Sequence, residues 1–79
     1  MVPHNREAEE AVIGSIIINP EAYFDVAQFL RADDFYIERH GWIWESFHRL
    51  VERRIPIDLL TLSNDLSEQN KLAEIGGTA

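Results

Sequence analysis

Apolar side chains recur every three or four positions between His40 and Val51, and this spacing constrains the fold more than any other feature. It places Ile43, Trp44 and Phe47 on one face of an amphipathic helix, with charged residues on the other faces. The pattern predicts a helix from about Ile37 to Arg53, ending before Pro56, which cannot continue it. The aromatic residues of this stretch are therefore interpreted as core rather than as a cofactor pocket.

Two shorter helices are predicted on the N-terminal side. The first begins after Pro3 with Asn5 as its N-cap, and acidic residues follow in its first turn, where the helix dipole favours them. The second uses Asn19 as cap and Pro20 as first helical residue, and ends near Arg31. Gly14 interrupts the first apolar stripe, and we interpret it as a point of close approach by a neighbouring helix.

A fourth helix is predicted within "PIDLLTLSNDLSEQN", with Asp58 or Thr61 as its N-cap; Thr61 is favoured. It ends at Asn70, and a last short turn, "LAEI", runs into Gly76-Gly77. The fold class is therefore all-α, a small bundle of four helices plus a final short turn. The predicted core consists of Val12, Ile16, Val26, Leu30, Ile43, Trp44, Phe47, Leu62 and Leu66.

Composition bounds the functional classes. The 79 residues form one domain at most, and the chain has no cysteine, which excludes disulfides and thiolate metal sites. The net charge of −7 disfavours direct DNA binding and suits a surface that docks a protein. No signal peptide or membrane-spanning run is visible, so the expected location is the cytoplasm.

The polar residues of the aromatic stretch do not form a pattern typical of catalysis. Glu45 and His48 spell one Glu-x-x-His motif, whereas carboxylate-bridged metal bundles need two. Trp44 occupies the position between His40 and His48 where a third zinc ligand would have to lie. Asp33 and Asp34 are expected to act as caps. Neither a phosphate-binding glycine loop nor a nucleophile elbow occurs, so no catalytic, cofactor or metal site is predicted.

Three residues are candidates for a partner surface. Trp42 lies off the apolar stripe and is expected to be half exposed, and exposed tryptophans are enriched at interaction hot spots. Arg53 and Arg54 are the adjacent pair of bases in an otherwise acidic chain. We also expect Glu45 and Arg49 to form an i, i+4 ion pair on the outer face of the third helix.

Several motifs in order along the chain resemble the N-terminal domain of the bacterial replicative helicase family DnaB. They are the Pro3–Gly14 segment with its Glu-Ala-Glu core, "DDFY", the His-x-x-Ile-Trp helix, "PIDLLTL" and the closing double glycine. The resemblance implies a noncatalytic collar domain that organises a hexameric ring and contributes to docking primase and the helicase loader. It also implies that ATP and Mg²⁺ are bound by a separate motor domain, through which the parent protein acts as an ATP-dependent helicase on DNA.

In that family the double glycine precedes a further helix and a dimerising helical hairpin, whereas this sequence stops at Ala79. Residues 1–79 are therefore expected to form the globular head of the domain without the hairpin or the motor. Two alternatives remain open. The helix pair around "PIDLLTL" could belong to a small DNA-binding domain, and a hydrolase would need a polar pocket that the sequence does not indicate.

Overall fold

A computed structural model describes residues 5–70, which contain four α-helices and no strand. The helices are α1 (Arg6–Ile18), α2 (Ala22–Val26), α3 (Glu38–Glu52) and α4 (Leu59–Glu68), and a short 3-10 turn at Ala32–Asp34 joins α2 to α3. The all-α prediction is confirmed. The turn expected before Gly76-Gly77 lies outside the described residues.

The ends of α1 follow its sequence signals. Asn5 caps the helix, because its side-chain Oδ1 accepts a hydrogen bond of 3.0 Å from the Ala8 amide. Asn19 ends α1 rather than starting α2: its amide donates to the Ser15 carbonyl at 2.8 Å. Pro20 lies in the turn after it, so the predicted start of the second helix was two residues early.

The second helix is also shorter than predicted, ending at Val26 instead of near Arg31. Beyond it the backbone tightens into a turn, in which the amide of Phe29 donates to Val26 three residues back, at 3.1 Å. The carbonyl of Leu30 is turned inward, where it accepts a 3.2 Å hydrogen bond from the Trp44 indole. This tertiary bond fixes the chain direction after α2.

The N-cap of α4 is Asp58, so the preference for Thr61 was wrong. The Asp58 carboxylate accepts from the Thr61 amide at 2.8 Å, and the Thr61 hydroxyl accepts from the Asp58 amide at 3.0 Å. The two side chains form a reciprocal capping box, which satisfies two backbone donors that have no partner within the helix. Both candidate residues are used, and Asp58 is the one at the cap.

Helix α3 is the centre of the fold and contacts α1, α4 and the 3-10 turn. Phe47 on α3 and Ile16 on α1 are completely buried. Trp44 lies between Tyr23 and Phe35, with ring centroids 5.1 and 5.4 Å away and tilted planes. Such tilted arrangements of aromatic rings are favourable beyond the area they bury.

The structure buries five of the nine predicted core residues and places the other four at the edge of the core. The buried ones are Ile16, Trp44, Phe47, Leu62 and Leu66, and the partly buried ones are Val12, Val26, Leu30 and Ile43. Five further apolar residues outside that list are buried as well, namely Ile13, Tyr23, Phe35, Leu50 and Ile57. On α1 the buried face is therefore turned slightly towards Ile13.

Close packing occurs at Gly41 instead of Gly14. Among residues 5–70, a Cβ atom on Gly14 would meet no atom of another element within 4 Å, so no neighbouring helix in this part of the chain makes the predicted close approach. A Cβ atom on Gly41, in the first turn of α3, would lie 2.9 Å from the Ala32 carbonyl oxygen. The 3-10 turn can therefore pack directly against α3 because residue 41 has no side chain.

Candidate docking surfaces

A carboxylate from α1 caps the start of α3. Glu9 Oε2 accepts a 2.8 Å hydrogen bond from the Tyr36 amide, and Glu9 Oε1 accepts a 3.3 Å bond from the Ile37 amide. Ile37 is the N-cap residue and has no side-chain oxygen of its own to do this. The arrangement satisfies amides at the positive end of the helix dipole and joins α1 to α3.

His40 completes this contact. Its Nδ1 lies 2.8 Å from Glu9 Oε1, and both side chains are nearly buried, with exposures of 9% and 12%. Burial raises the pKa of Glu9, but the hydrogen bonds from His40 and from the two amides more than offset it, so the pKa lies below its usual value. Glu9 is therefore held as a carboxylate, and because a carboxylate accepts only, His40 Nδ1 is the donor.

A second polar cluster joins α3 to α4 and consists of Ser46, Arg49 and Asp65. The Asp65 carboxylate, 2% exposed, accepts from the Ser46 hydroxyl at 2.5 Å and from Arg49 Nη2 at 2.7 Å. Arg49 Nε also donates to both of its oxygens, at 3.2 and 3.0 Å. Among the described residues the predicted Glu45–Arg49 ion pair does not form, and the guanidinium instead binds the buried Asp65 carboxylate through two adjacent nitrogens, Nε and Nη2.

Both clusters are structural in their chemistry. The Ser46 hydroxyl donates to a carboxylate that the guanidinium already neutralises, so nothing prepares it as a nucleophile. Within residues 5–70 every buried side-chain nitrogen or oxygen has a partner, and no group of three His, Cys, Asp or Glu side chains could hold a metal ion. One cluster joins α1 to α3, and the other joins α3 to α4.

Asp33 and Asp34 do not cap α3. Asp34 Oδ2 accepts a 2.8 Å hydrogen bond from the Arg31 amide and so caps the 3-10 turn, while Asp33 is exposed. Sequence reasoning missed that the cap of α3 comes from Glu9, which it assigned to the dipole of its own helix. The signal was the absence of any capping side chain at Ile37.

The three candidate partner residues do not form one surface. Trp42 is half-buried in a shallow groove with acidic residues on its walls, Asp33, Glu38 and Glu45. Arg53 and Arg54 follow the last turn of α3, about 16 Å away along the helix axis at 1.5 Å per residue. Arg53 lies 3.7 Å from Glu68 in an exposed ion pair. The structure therefore separates a tryptophan site from an arginine site.

Arg54 lines a different, mostly apolar groove of about 330 Å³. Pro20 and Phe24 line it from the turn before α2 and from α2, and Ile55 and Pro56 line it from the segment after α3. Phe24 is 58% exposed, although it is among the largest apolar side chains of the domain. Phe24 has no role predicted from the sequence, because the groove forms only where α2 and the turn before it meet the segment after α3.

The sequence model for "DnaB-like helicase N terminal domain" matches residues 1–79, which is the whole chain. The chain belongs to this family. A "Replicative DNA helicase DnaB" from Pasteurella multocida is 39% identical over 77 residues, covering 98% of this chain. A "Replicative DNA helicase DnaC" from Bacillus subtilis is also 39% identical, over 75 residues.

A solved structure of the DnaB-like family has the same fold. The crystal structure of the N-terminal domain of DnaB helicase from Mycobacterium tuberculosis superposes with a TM-score of 0.91 and 31% sequence identity, over 99% of this chain. The four-helix arrangement is therefore that of a DnaB-like N-terminal domain.

The chain spans only part of the proteins that it matches. It covers 16% of the length of the Pasteurella multocida relative and 56% of the solved Mycobacterium tuberculosis domain. The ATPase motor implied by the resemblance would lie outside the matched portion. In the described part of this DnaB-like domain, no helix is both long and apolar enough to cross a membrane.

Proposed function

We propose that this chain serves as a noncatalytic assembly and docking module of an ATP-dependent replicative DNA helicase. The observation that carries the proposal is the match of the whole chain to the DnaB-like N-terminal domain, in sequence and in fold. The polar contacts within residues 5–70 support it, because the buried polar groups form hydrogen bonds that join α1 to α3 and α3 to α4. Residues 1–79 would form the globular head of that domain.

Partners and location belong to the same proposal. Other helicase subunits would assemble with the parent protein into a hexamer in the cytoplasm, and primase and a helicase loader would dock on it. DNA would be contacted through the parent hexamer, and ATP and Mg²⁺ would be bound in its motor domain. The net charge of −7 supports the proposal that this domain does not itself contact DNA, since an acidic domain is repelled by phosphates.

A domain exchange tests the proposal. The 77 aligned residues of the Pasteurella multocida helicase are replaced by those of this chain, and a second form lacks the segment altogether. We expect the exchanged helicase to form hexamers, to unwind DNA and to respond to primase, and we expect the deleted form to lose at least assembly or the primase response. An exchanged helicase that keeps ATPase activity but behaves like the deleted form would contradict the docking role.

The second candidate function is a small helical DNA-binding domain. A titration of the chain with duplex and single-stranded DNA at low salt separates the two functions. We expect no saturable binding, because the bases are scattered over an acidic surface. Tight binding that weakens steeply with salt would favour the DNA-binding function instead.

A further inference from the structure

The backbone of Arg54 is unusual. The residue has φ of +59°, in the left-handed region that non-glycine residues rarely adopt. The Arg54 amide donates to the Val51 carbonyl at 3.0 Å, and the Ile55 amide donates to the Leu50 carbonyl at 2.9 Å. This hydrogen-bond pattern ends α3 as a Schellman motif, in which glycine is the favoured residue at the position that Arg54 occupies.

The helix dipole does not account for an arginine at this position. A cation near the C-terminus of α3 is favourable, but Arg53 already places one there in a helical conformation, without the positive φ of Arg54, although Arg53 also pairs with Glu68. Glycine at position 54 would remove the backbone strain at little electrostatic cost. A residue that departs from the local preference without an evident structural gain points to a role for its side chain.

The surroundings of Arg54 define that role. Among residues 5–70, Arg53 is paired with Glu68, whereas no carboxylate lies within ion-pair distance of Arg54. Arg54 lines the apolar groove together with Ile55 and Phe24. A cation at the rim of an apolar groove complements a carboxylate that lies next to an apolar side chain.

We propose that this groove docks an acidic amphipathic segment of a partner protein, with Arg54 pairing with a carboxylate and Phe24 and Ile55 receiving an apolar side chain. The proposal rests on the docking role proposed above and specifies the chemistry of a partner. Glu21 also lines the groove, so the carboxylate of the segment is expected on the Arg54 side. A volume of about 330 Å³ is at the lower end of ligand pockets, which suits anchoring by one or two side chains.

Three short fluorescent peptides test the proposal by anisotropy and by amide chemical-shift mapping. The first carries leucine and phenylalanine beside aspartate, the second has lysine in place of aspartate, and the third has serine in place of the apolar residues. Because the domain carries a charge of −7, general attraction favours the lysine peptide. We expect the aspartate peptide to bind most tightly, with shifts centred on Phe24 and Ile55, and the serine peptide to lose binding.

The substitution Arg54→Gly separates binding from folding. Because φ is positive, glycine is expected to leave the melting temperature unchanged or higher. Loss of one ion pair at the rim of the groove is expected to weaken binding of the aspartate peptide about three- to fivefold. The matched control is Arg39→Ala, which removes the same charge from an exposed site in the first turn of α3 and should leave the affinity unchanged.

Several results would overturn the groove proposal. They are equal affinity for the lysine and aspartate peptides, chemical shifts away from Phe24, and an affinity that Arg54→Gly does not change. Preferential binding of oligo(dT), or a dimer in sedimentation that buries the groove, would also overturn it. If the exchanged helicase assembles and responds to primase while the peptides bind with equal affinity, only the groove proposal is refuted. If the exchanged helicase behaves like the deleted form, the docking role is refuted, and the groove proposal, which rests on it, is refuted too.

Discussion

Removing the Asp65 carboxylate is expected to destabilise the domain more than any other single change to a polar group. The side chain is 2% exposed and accepts hydrogen bonds from Ser46 and from two nitrogens of Arg49. Asp65→Ala would leave the hydroxyl and the guanidinium facing a cavity between α3 and α4. Asp65→Asn keeps the shape, but it removes the negative charge and places a donor beside the guanidinium.

The magnitude is set by burial. Breaking a buried ion pair by removing one partner costs about 3–5 kcal/mol, because the other charge is left uncompensated. Arg49 is 29% exposed and can partly rehydrate, so we expect the lower half of that range for Asp65→Ala. Natural domains unfold with about 0.05–0.15 kcal/mol per residue, so such a loss removes a large part of the stability of 79 residues.

The same carboxylate makes stability depend on pH. Burial raises the pKa of Asp65, but hydrogen bonds from Arg49 and Ser46 more than offset it and hold the pKa below its usual value. Below about pH 4 the unfolded chain therefore takes up a proton at this residue before the folded chain does. The stabilisation is complete above that pH and is lost as the pH falls through the folded-state pKa. Asp65→Asn should lack this contribution to the pH dependence.

Urea denaturation followed by tryptophan fluorescence measures these effects, and a double-mutant cycle with Arg49→Met and Asp65→Leu isolates the pair. We expect the double variant to lose far less stability than the sum of the single variants, with a coupling of about 2 kcal/mol or more. Arg53→Met is the control, since its exposed pair with Glu68 should contribute at most about 1 kcal/mol. Additive losses, or a cost below about 1 kcal/mol for Asp65→Ala, would refute the reasoning.

Other positions give sharp expectations for the free energy of unfolding. In Glu9→Gln, the free energy of unfolding should fall less steeply below about pH 4.5, because the wild-type protein loses stability there as Glu9, whose pKa is held low in the folded state, is protonated. Melting temperatures measured at a series of acidic pH values check this. Gly14→Ala should stabilise by up to about 1 kcal/mol, since α1 has open space there, whereas Gly41→Ala should destabilise by clashing with the Ala32 carbonyl; opposite shifts in urea midpoint are expected. Trp44→Ala should cost about 3–5 kcal/mol, and an unchanged thermal melt would contradict its place in the core.

The helices could be predicted because their signals are local. The apolar spacing that defines α3 and the cap at Asn5 each depend on residues within one or two turns. The limits of α2 were predicted less well, since the chain after Val26 is directed by a hydrogen bond from the Trp44 indole to the Leu30 carbonyl. Such a bond joins positions that no periodicity relates.

The polar contacts between helices were missed for the same reason. Ser46 and Asp65 look like surface residues in their own helices, and each is buried because the other is present. Glu9 suits the first turn of α1 by charge, yet its carboxylate binds amides 27 and 28 residues further along the chain. Sequence patterns indicate contacts within a single helix, whereas contacts between helices are seen only in the tertiary structure.

The arginine pair shows how tertiary structure changes a functional assignment. From the sequence, Arg53 and Arg54 are equivalent neighbours with one charge each, and both were assigned to the same surface. In the structure Arg53 ends α3 in a helical conformation and pairs with Glu68, while Arg54 adopts positive φ and lines a groove that is also lined by α2 and the turn before it. Because the backbone conformation changes between these adjacent residues, Arg53 contacts Glu68 and Arg54 lines the groove. Binding experiments should accordingly distinguish Arg54 from Arg53, which a surface defined by charge alone would not require.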